Sequence, residues 1–169
     1  VLVVVDAGRL IAQVALGVAT VDAAFADLEP EVVAYRVHAD HLARLDGGQL
    51  TPTQFIASDI AEARRADLTR TYAITTTGNN REAAEGAQVI LLAVEPQVLD
   101  EVLTDIAPTV GSSQLVVSVA AGYPIARIAR HLPKTGRIVR AMPNMPSTIR
   151  EGATALAYDA TLSEQDVAT

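Results

Sequence analysis

Short aliphatic runs alternate along the chain with stretches whose apolar residues recur at helical spacing, the pattern of an α/β domain. Val1–Val5 opens it as an unbroken aliphatic run, as expected of a buried parallel strand. Helical character follows over Leu10–Val18, and Asp22–Leu28 continues it or forms a second short helix before the stop at Glu29–Pro30. Val32–Val37 reads as a strand and Asp40–Leu45 as a short helix, ahead of a break at Gly47–Gly48. Beyond that break the alternation is regular. Gln54–Ser58 predicts a strand ending at Asp59, and Ala61–Leu68 predicts a helix. Thr75–Asn80 has turn chemistry, with Asn80 placed to cap a helix over Arg81–Glu85. Gln88–Val94 predicts a buried strand that Pro96 ends. In Val98–Ile106 the residues Val98, Leu99, Val102, Leu103 and Ile106 share one side of a helix. Gln114–Ala120 and Arg137–Ala141 predict two more strands, with a helix over Pro124–Leu132 between them that carries Pro in its first turn. Gly152–Tyr158 predicts a further strand, and Thr161–Thr169 begins a helix with Ser163 as its cap.

Composition narrows the function classes. A length of 169 residues suits one domain or slightly more, and a hydrophobic fraction of 50% supplies a core and excludes disorder over the whole chain. Aromatics are only 4%, so Ala, Val, Leu and Ile must build that core. The net charge of −7 argues against an electrostatic grip on nucleic acid. The absence of cysteine excludes disulfides, thiol chemistry and Cys-ligated zinc. No apolar run reaches the ~18–20 residues of a membrane helix, and Val1–Val5 has no basic flank of a signal peptide. The expectation is a cytoplasmic protein without a membrane partner. The chain does not start with Met, so Val1 is not expected to begin the gene product.

In a doubly wound sheet, ligands bind beyond the carboxyl ends of the strands. That rule selects Ser58–Asp59, Ala93–Gln97, Ser118–Gly122 and Met142–Pro146, all rich in small, Pro or amide residues that let a ligand approach the backbone. Each is also compatible with an ordinary strand-to-helix turn. Asp59 follows the strand where an acidic residue accepts from an adenosine ribose, and it equally suits the N-cap of the next helix. Arg64 and Arg65 lie close enough to meet a 2′-phosphate, or are simply solvated. The weak point is the phosphate loop. Of the pattern G-x-G-x-x-G, the run Asp6-Ala7-Gly8-Arg9-Leu10-Ile11 keeps only Gly8; Asp6 sets a carboxylate where phosphate belongs and Ile11 crowds the helix. His38 and His41 share a helix face but have no evident third ligand, so no metal site is expected. His131, near a helix end, suits the dipole there.

Three stretches carry a family resemblance: Val89–Leu103 (VILLAVEPQVLDEVL), Leu115–Ile128 (LVVSVAAGYPIARI) and Arg137–Leu156 (RIVRAMPNMPSTIREGATAL), with Thr161–Asp166 in the expected place after them. In their order and spacing the chain from about Gly47 to its end resembles the N-terminal domain of pyrroline-5-carboxylate reductase. The resemblance implies a Rossmann-type, doubly wound, mainly parallel sheet over residues 47–169, with residues 1–46 unmatched. It implies a cofactor, NADP or NAD, whose reduced form gives a hydride to the C=N bond of 1-pyrroline-5-carboxylate, forming L-proline. By analogy Gly8 belongs to the phosphate loop, Ser58, Asp59 and Asn80 to the adenosine end, and Ala93, Pro96 and Gln97 to the cofactor's flank. Val119, Ala120 and Ala121 belong near the nicotinamide, and Asn144 and Pro146 to the active-site floor. No catalytic side chain is expected in this chain, because the family's helical C-terminal domain, which makes the dimer and much of the substrate site, is not in it. The full-length relative is expected to be a homo-oligomer. Glu95 departs from the family, which usually has a basic residue there. The alternative is a non-catalytic relative, or a fragment, that keeps the fold without binding a cofactor.

Overall fold

In the computed structural model, which describes residues 2–5, 52–133, 137–143, 154–158 and 162, seven strands form one sheet. They are β1 (Leu2–Val5), β2 (Phe55–Ser58), β3 (Thr75–Thr77), β4 (Val89–Leu92), β5 (Leu115–Ser118), β6 (Arg137–Pro143) and β7 (Thr154–Tyr158). Their spatial order is β3-β2-β1-β4-β5-β6-β7. The helices are α1 (Glu62–Tyr72), α2 (Asn80–Ala84), α3 (Leu99–Ile106) and α4 (Ile125–Ile128), with 3₁₀ turns at Pro52–Gln54 and Ala107–Thr109.

The core sits where the sequence is most aliphatic. Every residue of β4 and β5 is buried, as expected of strands covered on both faces. Leu99, Leu103 and Ile106, at i, i+4 and i+7 of α3, are fully buried, and they join Ile90, Leu92, Val116 and Ile138 in one cluster. Each such side chain contributes roughly 1.5–3 kcal/mol relative to leaving it in water. Ala83 and Ala84 are also fully buried, so α2 lies close against its neighbours where a larger residue would hold it off. The buried Gln114 is satisfied: its Nε2 donates to the Ala84 carbonyl at 2.9 Å and its Oε1 accepts from Gly111 N–H at 2.6 Å.

Strand direction defines the site. β2 is parallel to β3, and β4, β5 and β6 are mutually parallel. β1 is antiparallel to both β2 and β4, so those two run the same way. The carboxyl ends of β2 to β6 therefore share one edge. β7 returns antiparallel to β6.

The parallel direction expected of Val1–Val5 is corrected by this register. Leu2 lies opposite Ser58 and Leu92, and Val5 lies opposite Phe55 and Val89. The physical reason is that an all-aliphatic run reads the same in both directions, and an antiparallel ladder is at least as stable per residue as a parallel one. Two smaller corrections follow from local chemistry. Thr75–Thr77 forms a strand inside the expected turn, and Asn79 rather than Asn80 caps α2. α1 runs to Tyr72 and closes through Ala73, whose φ of 55° is a conformation that favours glycine. The elements expected over Leu10–Val18, Asp22–Leu28, Val32–Val37 and Asp40–Leu45 lie outside the described residues. So do the division at residues 46 and 47 and, apart from the buried Leu162, the helix over Thr161–Thr169.

Candidate cofactor site

At the exit of β2, Ser58 is buried and its Oγ donates to Asn80 Oδ1 at 2.7 Å. Asn80 Nδ2 donates in turn to Asp105 Oδ2 at 3.3 Å, and Arg81 Nε donates to Asp105 Oδ1 at 2.8 Å. Asn80 is thus held from both sides. It is delivered there because Asn79 starts α2, its Oδ1 accepting from the N–H groups of Arg81 and Glu82 at 3.0 and 3.3 Å.

Asp59 extends the β2–β3 ladder by donating its N–H to the Thr77 carbonyl at 3.1 Å. Its carboxylate accepts from Ala61 N–H at 2.8 Å, just ahead of α1. Ala61 itself occupies the cap position and offers no side chain. Asp59 therefore does part of the work of a cap while standing at the carboxyl edge. Arg65 reaches the same edge: its guanidinium donates to the carbonyls of Asp59 and Ile60 at 2.7 and 3.2 Å and passes over Gly78. Ile60, in the turn between them, is 95% exposed.

On the other side of β1 lie the turns after β4 and β5. Ala93 is fully buried, and the turn Glu95–Val98 is closed by Val98 N–H donating to the Glu95 carbonyl at 3.2 Å. Val119 N–H donates to the Leu92 carbonyl at 3.3 Å, and Ser118 Oγ accepts from Ala120 N–H at 3.3 Å. Val119 and Ala120 are buried, whereas Ala121 is exposed beside Gly122, whose φ of 68° requires a glycine or a strained substitute.

A polar knot beneath this turn escaped the sequence reading. The Tyr123 hydroxyl donates to Asp100 Oδ1, Arg127 donates to Asp100 Oδ2, and His131 Nε2 lies 2.9 Å from Oδ1. The Arg127 guanidinium also sits 4.5 Å above the Tyr123 ring. Hydrogen bonds from Tyr123 and then Arg127 hold the Asp100 carboxyl down at about 2. Burial, helped by Asp100, pushes the Tyr123 hydroxyl up to about 12. The bond to Asp100 raises Arg127. The spacing Tyr123, Arg127, His131, each four residues apart, was the available signal. It sets Tyr123 just ahead of α4, Arg127 within it and His131 in the turn beyond it, all opposite the first turn of α3.

The carboxyl edge thus gathers Ser58, Asp59 and Asn80 on one side of β1, and Ala93, Pro96, Gln97, Val119, Ala120 and Ala121 on the other. Gly8, Asn144 and Pro146 lie outside the described residues, as do His38 and His41. For a dinucleotide the fit is divided. The turns after β2, β4 and β5 suit its two ends. The pyrophosphate, however, belongs at a glycine turn leaving the central strand, and here the central strand begins at this edge and leaves at the other. Among the described residues no group of three His, Cys, Asp or Glu could hold a metal ion. No described helix is long and apolar enough to cross a membrane.

Sheet order, shared carboxyl edge and small-residue turns define a Rossmann-like α/β domain of the dehydrogenase type. A family model described as "NADP oxidoreductase coenzyme F420-dependent" matches residues 36–122, more than half of the chain. The chain belongs to this family, and its relatives place it with the pyrroline-5-carboxylate reductases. It is 42% identical over 106 residues to the pyrroline-5-carboxylate reductase of Synechocystis sp., covering 63% of this chain and 39% of that one. It is 38% identical over 110 residues to that of Pseudomonas aeruginosa, covering 65% and 40%. The solved structure of the Coxiella burnetii enzyme superposes with a TM-score of 0.63 at 31% identity, over 71% of this chain and 44% of that one. The chain therefore spans less than half the length of these relatives.

Proposed function

We propose that the chain forms the nucleotide-binding part of an NAD(P)H-dependent reductase that converts 1-pyrroline-5-carboxylate to L-proline. The observation that supports this is the shared carboxyl edge of β2 to β6, at which the turns after β2, β4 and β5 stand. In that reaction the reduced nicotinamide supplies the hydride. This chain's part is to bind and orient: Ser58, Asp59 and Asn80 at the adenosine ribose, Ala93, Pro96 and Gln97 along the cofactor, and Val119, Ala120 and Ala121 beside the nicotinamide. By the family resemblance Asn144 and Pro146 belong to the floor of the active site. Holding the two reacting carbons together is the main source of acceleration in such a site, which needs no protein nucleophile. Asp59 favours a bare ribose and Arg65, anchored beside it, favours a 2′-phosphate, so NADP and NAD are both candidates. The complete enzyme would act in the cytoplasm on its small-molecule substrate as a homo-oligomer. A calorimetric titration of the purified chain with NADPH and NADH tests the reading. Saturable binding below millimolar concentration supports it; no heat with either cofactor at millimolar concentration overturns it. The second reading, a relative that keeps the fold without the cofactor, is favoured by one observation, the reversed direction of β1.

A further inference from the structure

Asp105 stands where a helix least favours an acid. It is the penultimate residue of α3, and no basic residue lies in that last turn. The carboxyl end of a helix carries partial negative charge, which a carboxylate there opposes. The contacts that offset this come from another element. Arg81 Nε donates to Asp105 Oδ1 at 2.8 Å and to the Asp105 carbonyl at 2.9 Å. Asn80 Nδ2 donates to Asp105 Oδ2 at 3.3 Å. Both donors belong to the first turn of α2, 24 and 25 residues away along the chain.

The consequence falls on the Asn80 amide. Its two ends are close in size, so hydrogen bonding decides which way it faces. A carboxylate paired with a guanidinium only accepts, so the end toward Asp105 must be the NH2 group. The oxygen then faces Ser58, whose buried hydroxyl donates to it at 2.7 Å. These two bonds leave one N–H and one lone pair of the amide for a ligand.

We infer that Asp105 is a positioning residue: together with Ser58 it fixes the orientation in which Asn80 presents its amide to the adenosine end of a dinucleotide. The ligand class, and Asn80 as one of its contacts, rest on the reductase reading; the role of Asp105 rests on the hydrogen bonds. Asp105→Asn keeps the shape of the side chain but offers Asn80 either an oxygen or an NH2 group, so the Asn80 amide can take both orientations. The probe is ADP-ribose, titrated calorimetrically into the purified chain. Asp105→Asn is expected to bind it about fivefold more weakly than the parent. In an Asn80→Ala background the same substitution is expected to change the affinity less than about twofold, because Asp105 then has no amide to orient. The melting temperature should stay within a few degrees of the parent. The Arg81–Asp105 pair is largely solvated, and Arg81 keeps its bond to the Asp105 carbonyl. Removing a negative charge would by itself tighten the binding of an anion. Unchanged or tighter binding of ADP-ribose to Asp105→Asn therefore overturns the inference, even where Asn80→Ala binds too weakly to titrate. Equal weakening with and without Asn80 overturns it too, since a purely structural role moves both. In either case a parent that binds ADP-ribose leaves the reductase reading standing and removes only Asp105 from it. A parent that binds neither ADP-ribose nor NADPH overturns that reading and the role of Asp105 with it.

Discussion

Asp100 accepts from Tyr123, Arg127 and His131, and so ties the turn after β5 to the first turn of α3. Its carboxyl titrates near 2 in the fold against 3.8 in an unperturbed chain. A depressed carboxyl gives stability that is complete above the unfolded value and is lost as the pH falls toward the folded one. The melting temperature should therefore fall between about pH 4 and pH 2 in part because of this one group. Asp100→Asn should melt below the parent at pH 6, and the gap between the two should narrow as the pH drops through that window. Melting curves across pH 2.5–7 check it; a gap of constant size would mean that ionisation of Asp100 is not what ties the turn. Nothing in the hydrophobic pattern marks Asp100, since one acidic residue in the first turn of a helix is ordinary. Adjacent Asn79 and Asn80 were equally opaque. Propensity treats them as equivalent caps, and only the packing of α2 decides that the first caps while the second turns to Ser58 and Asp105.

At the scale of elements, legibility followed burial. β4, β5 and α3 were readable because each carries its full periodic signal: all-buried strands flanking a helix whose apolar residues recur at i, i+4 and i+7. β3 was not, because three threonines before Gly78 and two asparagines look like a turn until β2 is there to pair with them. The direction of β1 was unreadable in principle. Hydrophobic content fixes that a run is buried and says nothing of which way it lies. Two substitutions separate these contributions. Leu103→Ala removes a fully buried side chain from the core and should cost roughly 2–5 kcal/mol. Asn79→Ala removes two accepted hydrogen bonds at an exposed helix start and should cost about 1 kcal/mol. Urea unfolding of both variants checks the ranking. A cap variant as damaging as the core variant would show that α2, and not the β4–β5–α3 layer, sets the stability of the domain.

At the scale of the whole molecule, the four turns at the carboxyl edge were selected by topology and small residues alone, and three of them lie together at that edge in the structure. The fourth, around Asn144, continues from β6 beyond the described residues. What the sequence could not supply was the sign of the field around them. The chain carries a net charge of −7, yet a nucleotide cofactor is itself a polyanion. Glu95 adds to that disadvantage, because it stands in the turn after β4, between Ala93 and Pro96, where the family resemblance implies a basic residue. Glu95→Lys exchanges a repelling charge for an attracting one without touching the core, since Glu95 is partly exposed. If the turn after β4 lies along the cofactor, this variant should bind NADPH about fivefold more tightly at low ionic strength, and the gain should shrink toward nothing near 0.5 M salt as screening shortens the reach of the charge. Fluorescence titrations at low and high salt separate the possibilities. A gain that persists at high salt would indicate a new direct contact. No gain at low salt would place the turn, and with it Pro96 and Gln97, away from the bound phosphates.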